Sequence, residues 1–169
     1  MNVNTPRPAD LHAILGLQLA TASYAANMRT FGFQAEAPKQ ESPQWYLHLQ
    51  CPWRILSAER VVTGSSDWYQ TSDGSVPDED WDPATGGSLQ DLEIAEMFRD
   101  KPAGRNPLHN HTGAMQVLSV DVNPIGDLTI QLSGPFVIEA FPMGSTGEFW
   151  RLFKDDDAGP HYVCEGMRR

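Results

Sequence analysis

The chain has 169 residues, 22 Asp+Glu against 12 Lys+Arg, 40% hydrophobic residues and a net charge of −10, a balance that fits one ordinary soluble domain with a useful core. No run reaches the roughly 18 apolar residues of a membrane span, the start lacks a signal-peptide pattern, and the net charge opposes phosphate backbones and anionic lipids; nucleic acid and membrane are therefore poor partners, and a cytoplasmic location is expected. Cys51 and Cys164 are the only cysteines; with no Cys-x-x-Cys pair they form neither a zinc clamp nor a redox dithiol, and reduced, buried thiols are expected.

In chain order, residues 1–9 read as a flexible tail and 10–169 as a single globular domain. Leu11, Ala13, Leu15, Leu17 and Leu19 recur with period two, the spacing that puts alternate side chains on one face of a strand. Trp45, Leu47, Leu49, Cys51, Trp53 and Ile55 form the clearest such row, with Tyr46, His48, Gln50 and Arg54 opposite and Pro52 interrupting the ladder, which predicts an edge or bulged strand. Residues 57–60 then permit a tight return into Val61 and Val62.

Residues 67–100 carry ten carboxylates against Arg99 alone, nine of the ten net negative charges of the chain. This region reads as an acidic loop and helix inserted into an otherwise nearly neutral domain. Gln70 to Gly87 lacks periodicity, is rich in Ser, Gly, Pro and Asp, and exceeds the usual length of a connection. Ser88 can cap a helix near 88–100, with Glu93, Glu96 and Asp100 on one face and Ile94, Met97 and Phe98 on the other. From Met115 onward, rows at Leu118–Val122, Leu128–Leu132 and Phe136–Ala140, then Phe149–Phe153 and a last strand at about His161–Glu165, are separated by breaks too short for parallel crossovers. The fold class that follows is mainly β (α+β): an antiparallel sandwich or open barrel with one helix, its core including Leu47, Leu49, Trp53, Leu118, Val120, Ile130, Ile138 and Trp150.

His109-Asn110-His111 is the strongest metal-like signal, since alternate residues of an extended segment present both imidazoles the same way. The stretch is faintly similar to the short motifs of cupins, metal-binding antiparallel barrels, but Gln116 stands where a glutamate ligand is expected and Gly147 where a histidine is. His161 or His48 would have to complete the set for a divalent first-row metal. Dispersed HNH-nuclease residues are not reproduced by three adjacent letters, and nucleotide-binding, zincin, hydrolase and EF-hand signatures are all absent, which points away from an enzyme.

The segment Trp45-Tyr-Leu-His-Leu-Gln-Cys-Pro-Trp-Arg54, with Glu148-Phe-Trp-Arg-Leu-Phe153 and His161, resembles a group of small uncharacterised bacterial proteins. The resemblance implies a bacterial cytosolic domain folding as one unit and brings no activity with it. The remaining signal is the acidic insertion, where Trp68, Tyr69 and Trp81 border Asp78, Glu79, Asp80 and Asp82. Aromatics beside carboxylates suit a surface that grips a basic protein. The expectation is therefore a non-enzymatic, immunity-protein-like binding module without a cofactor, with self-association through a sheet edge also open to it.

Overall fold

The computed structural model describes residues 3–25, 28–35, 44–85, 87–98, 115–156 and 158–166, and in them the period-two rows become eleven strands in two antiparallel sheets. One sheet holds β1 (Val3–Asn4), β2 (Gln18–Ala25), β3 (Met28–Gln34), β4 (Trp45–Leu49), β10 (Gly147–Lys154) and β11 (His161–Gly166), in the order β1-β11-β10-β4-β3-β2. The other holds β5 (Trp53–Leu56), β6 (Val61–Gly64), β7 (Val117–Val122), β8 (Leu128–Leu132) and β9 (Val137–Ala140), in the order β6-β5-β9-β8-β7. This is the mainly β sandwich the alternation implies. Val3 and Asn4, which the sequence places in a tail, pair with Gly166 and Glu165.

Three local readings change. Leu11 to Leu19 is not one strand: α1 (Pro8–Leu11) runs into a 3-10 turn at His12–Ile14. Pro8 favours a helix start, and Leu11 and Ile14, three apart on one helical face, are both fully buried while Leu15 is exposed. The Trp45–Ile55 row is real but serves two sheets, not one bulged strand. Pro52 has no N–H to continue the ladder, and the chain crosses there from β4 to β5, with Gln50 N–H donating to Phe149 O and Phe141 N–H to Pro52 O at 2.9 and 2.8 Å. Leu118 faces solvent (55% exposed) because the register shifts between Val117 and Ser119, so that Val117 and Val120 point inward on either side of the bulge.

The other expected core residues, Leu47, Leu49, Trp53, Val120, Ile130, Ile138 and Trp150, are buried in one cluster between the sheets. Trp150 Nε1–H donates to Gly126 O at 2.8 Å, tying β10 to the β7–β8 turn. Gly126 has φ +93°, and a Cβ there would lie 2.5 Å from Cys164 Sγ, so both backbone and space require glycine. Phe31 and Trp53 meet edge to face across the sheets, centroids 5.6 Å apart. A Gln18–Gln116 bridge joins the β2 and β7 edges, and α2 (Leu89–Met97) lies against β6. Ser88 caps α2 as its sequence suggests, its Oγ accepting from Asp91 N–H at 3.1 Å, and Ile94 and Phe98 are the buried face.

Candidate binding face: an acidic loop beside an arginine-floored pocket

Arg29 shares its strand parity with Phe31 and Phe33, and pairing opposite Leu49, Leu47 and Trp45 turns all three side chains to the interior. A guanidinium is thereby held at one end of the sandwich core, 2% exposed. A charge removed from water needs partners, and the first turn of α2 supplies them. Arg29 Nε–H donates to Gln90 Oε1 at 2.9 Å, and Nη2 donates both to that oxygen and to Asp91 Oδ1, the latter at 3.0 Å. Gln90 is itself fixed by donating from Nε2 to Gly64 O at 2.9 Å. Tyr24 and Trp68 place ring centroids 5.5 and 5.8 Å from the guanidinium carbon, within cation–π range. Burial pulls the Arg29 pKa below its ordinary value, and the bond to Asp91 pulls in the opposite direction. Nη1 is buried and makes no hydrogen bond among the described residues.

Arg29 lines a cavity of about 420 Å³ together with Met28, Trp53, Ser66, Trp68 and Tyr69, of which Ser66 and Tyr69 are exposed. Its size falls in the range of small-molecule sites. Cys51 also lines it, but burial pushes that thiol up to about 11, so it stays protonated and unreactive near neutral pH. Both cysteines are free and buried.

The acidic loop begins beside this cavity. The 3-10 turn Ser65–Tyr69 is set by Asp67, whose carboxylate accepts from Thr63 Oγ1 and Gly64 N–H at 2.9 and 3.0 Å. The ends of the loop are pinched together by the Thr71–Ser88 bridge and by Ser72 N–H donating to Gly87 O at 2.6 Å. This closure makes it an Ω-type loop standing on the sandwich. Tyr24 Oη donates to Ala84 O at 2.6 Å and holds its far side against β2. Asp73, Asp78 and Asp82 bend the chain by accepting from the N–H groups of Ser75, Asp80 and Ala84.

Eight of the ten carboxylates of the region divide into two sets. Asp67 caps a turn, Asp91 pairs with Arg29, and Glu93 pairs with Arg60 at 2.9 Å. Asp73, Asp78, Glu79, Asp80 and Asp82 are exposed, and among the described residues none of them joins an ion pair. Of the aromatics expected at this surface, Tyr69 is 59% exposed and Trp81 half-buried. Trp68 is a correction: it is 7% exposed and packs edge-on to Tyr24 with centroids 4.4 Å apart, its ring facing the Arg29 guanidinium rather than solvent.

The candidate metal ligands do not assemble among the described residues. His109 and His111 lie outside them. Gln116 spends its amide donating to Gly16 O at 3.0 Å. His48 on β4 and His161 on β11 flank Phe153 on the strand between, with centroids 4.6 and 5.3 Å from it. Among the described residues no group of three or more His, Cys, Asp or Glu could hold a metal ion. Burial, with a smaller push from Arg151, lowers the His48 pKa, as befits a ring packed over a sheet.

Arg29 and Gln90 are the site residues that composition and motif do not reveal. The usable signal is parity: a cation two residues before Phe31 and four before Phe33 is carried to the inner face wherever that strand is half-buried. Comparison with protein-family models, with curated proteins and with solved structures finds no match for the chain. No helix among the described residues is long and apolar enough to cross a membrane.

Proposed function

We propose that this protein is a non-enzymatic binding module whose acidic loop engages a basic protein partner, in the manner of an immunity protein that neutralises a toxin. The observation that supports the reading is the division of the carboxylates: those facing the sandwich have internal partners, while Asp73, Asp78, Glu79, Asp80 and Asp82 are exposed without an ion pair among the described residues. A pinched loop of this kind presents its charges in a fixed constellation, which lowers the ordering cost of association. Tyr69 and Trp81 supply apolar contact beside them. One-sign charge steers a basic partner and weakens as salt screens it.

The test is capture of partners from the source cells at about 50 and 500 mM salt, concentrations that bracket strong and weak screening. The baits are the unaltered protein and a variant carrying Asp78→Asn, Glu79→Gln, Asp80→Asn and Asp82→Asn. A basic protein retained by the unaltered bait at low salt, and lost with either change, is the expected result. Partners held equally under all four conditions would remove the acidic loop from the account.

A further inference from the structure

The acidic loop and the cavity lined by Arg29 share a border. The run of exposed carboxylates starts at Asp73, four residues after Tyr69, and ends at Asp82, two residues before Ala84. Tyr69 lines the cavity, and so does Tyr24, whose Oη donates to Ala84 O at 2.6 Å. Both feet of the charged run are thus attached at the cavity wall, and a partner held by the carboxylates also meets the opening. What it can place inside is set by the lining. Among the described residues no Asp or Glu lines the cavity, so a lysine or arginine entering it would lose hydration without gaining a counter-ion. The charge in the lining is that of Arg29, whose side chain is 1% exposed and already paired with Asp91; it offers an acidic group almost no accessible donor. Gln90 spends both ends of its amide on Arg29 and Gly64 O. Met28, Pro52, Trp53, Trp68 and Tyr69 present apolar surface, and the protonated Cys51 thiol acts as one more small apolar group. A buried apolar contact ringed by polar and charged groups is the common anatomy of an interface hot spot.

We propose, resting on the acidic-loop reading, that this cavity is the anchor point of the same interface: it takes one large apolar side chain of the basic partner, whose flanking lysines or arginines meet Asp73, Asp78, Glu79, Asp80 and Asp82.

Two pentapeptides test this, each with four lysines around one central residue, phenylalanine in one and serine in the other. Each is titrated into the full chain at about 50 mM salt, with the tryptophan indole N–H signals followed by NMR. The unaltered protein is compared with Tyr69→Ala and with the variant carrying Asp78→Asn, Glu79→Gln, Asp80→Asn and Asp82→Asn. The phenylalanine peptide should bind about tenfold more tightly than the serine peptide, and it should move the Trp53 and Trp68 signals. Tyr69→Ala, at a position 59% exposed, should stay folded and lower that ratio. Loss of the four loop charges should weaken both peptides and keep the ratio. Equal affinity for the two peptides, with both still weakened by loss of the loop charges, would overturn the anchor and leave the acidic-loop reading standing. Undiminished binding of both peptides to the charge-neutralised variant would overturn that reading, and the anchor with it. No saturable binding of the phenylalanine peptide, a preference that ignores Tyr69→Ala, or one that leaves the Trp53 and Trp68 signals in place would overturn the proposal.

Discussion

The interior of the sandwich and the excursion at residues 65–98 solve the problem of staying folded by different means. Between the sheets, Leu47, Leu49, Ile55, Ile130, Ile138 and Trp150 are almost wholly removed from water, and their contribution is non-directional and roughly proportional to buried area. The excursion is fastened through named polar atoms: Arg29 to Gln90 and Asp91, Arg60 to Glu93, Tyr24 to Ala84, and Asp67 to Gly64. Ile94 and Phe98 add a smaller apolar anchor. A core built on area tolerates exchange of one apolar group for another. A dock built on hydrogen bonds depends on each partner, because losing one leaves the other buried and unsatisfied. This difference teaches where recognition can reside: the loop can carry carboxylates that make no ion pair among the described residues because its attachment is made elsewhere.

The largest effect should come from the interior. Leu49 is 1% exposed and pairs with Arg29 on one side and Trp150 on the other. Leu49→Ala should lower stability by about 2–5 kcal/mol, the range for truncating a buried leucine, measured by urea unfolding. A loss below about half a kcal/mol would mean that Leu49 is not in a packed core.

Alkaline pH probes the same interior through its thiols. Burial pushes Cys51 up to about 11 and Cys164 up to about 12 from an ordinary value of 9.0. Both folded pKa values are raised, so the unfolded chain releases protons first. Their contribution is fully present below about pH 9 and is lost as pH rises through the folded values, with a decline on the order of 2 kcal/mol by pH 10. Urea midpoints at pH 8 and pH 10 should show this decline, and Cys51→Ala should reduce it by about half, leaving the share of Cys164. A thiol reagent at pH 8 should label neither cysteine until denaturant is added.

The dock responds to removal of a single partner. Asp91→Ala leaves the Arg29 guanidinium buried without its carboxylate and without the hydrogen bond to Oδ1. The Asp91 side chain retains 17% exposure, so solvent relieves part of the penalty, and a loss of about 1–3 kcal/mol is expected. Hydrogen exchange should locate it: amides of α2 and of Ser65–Tyr69 should open first, with β8 and β9 still protected. Uniform loss across both sheets would mean that the excursion and the sandwich unfold as one unit.

How far the sequence speaks differs between these regions for a physical reason. Strand parity is periodic, so β4, β5, β8, β9, β10 and β11 are legible in the alternation of Trp45, Leu47 and Leu49 or of Leu128, Ile130 and Leu132. The alternation cannot show that Trp45–Leu49 and Trp53–Leu56 belong to different sheets, because crossing at Pro52 preserves it. It also cannot place the bulge that turns Leu118 outward, since a bulge shifts parity without a distinctive residue. In the site, exposed carboxylates and Tyr69 follow from composition, whereas the burial of Trp68 depends on Tyr24, far away in the chain. Arg29 escapes composition for the same reason: its role arises only when β3 meets the first turn of α2.

The smallest effect should come from the loop carboxylates themselves, and that smallness separates attachment from recognition. Asp78, Glu79, Asp80 and Asp82 are exposed and make no ion pair among the described residues. The Asp78 and Asp82 carboxylates do accept local N–H groups, of Asp80 and Ala84, and an Asn at each position retains a side-chain oxygen for that bond. Neutralising all four therefore removes mutual repulsion and little else, so the melting temperature should stay within about 2 °C of the unaltered protein, with any rise confined to low salt where repulsion is least screened. Scanning calorimetry at low and high salt measures both. A drop of several degrees would mean that these carboxylates fasten the loop to the sandwich, and the division between internally paired and outward-facing acids would then fail.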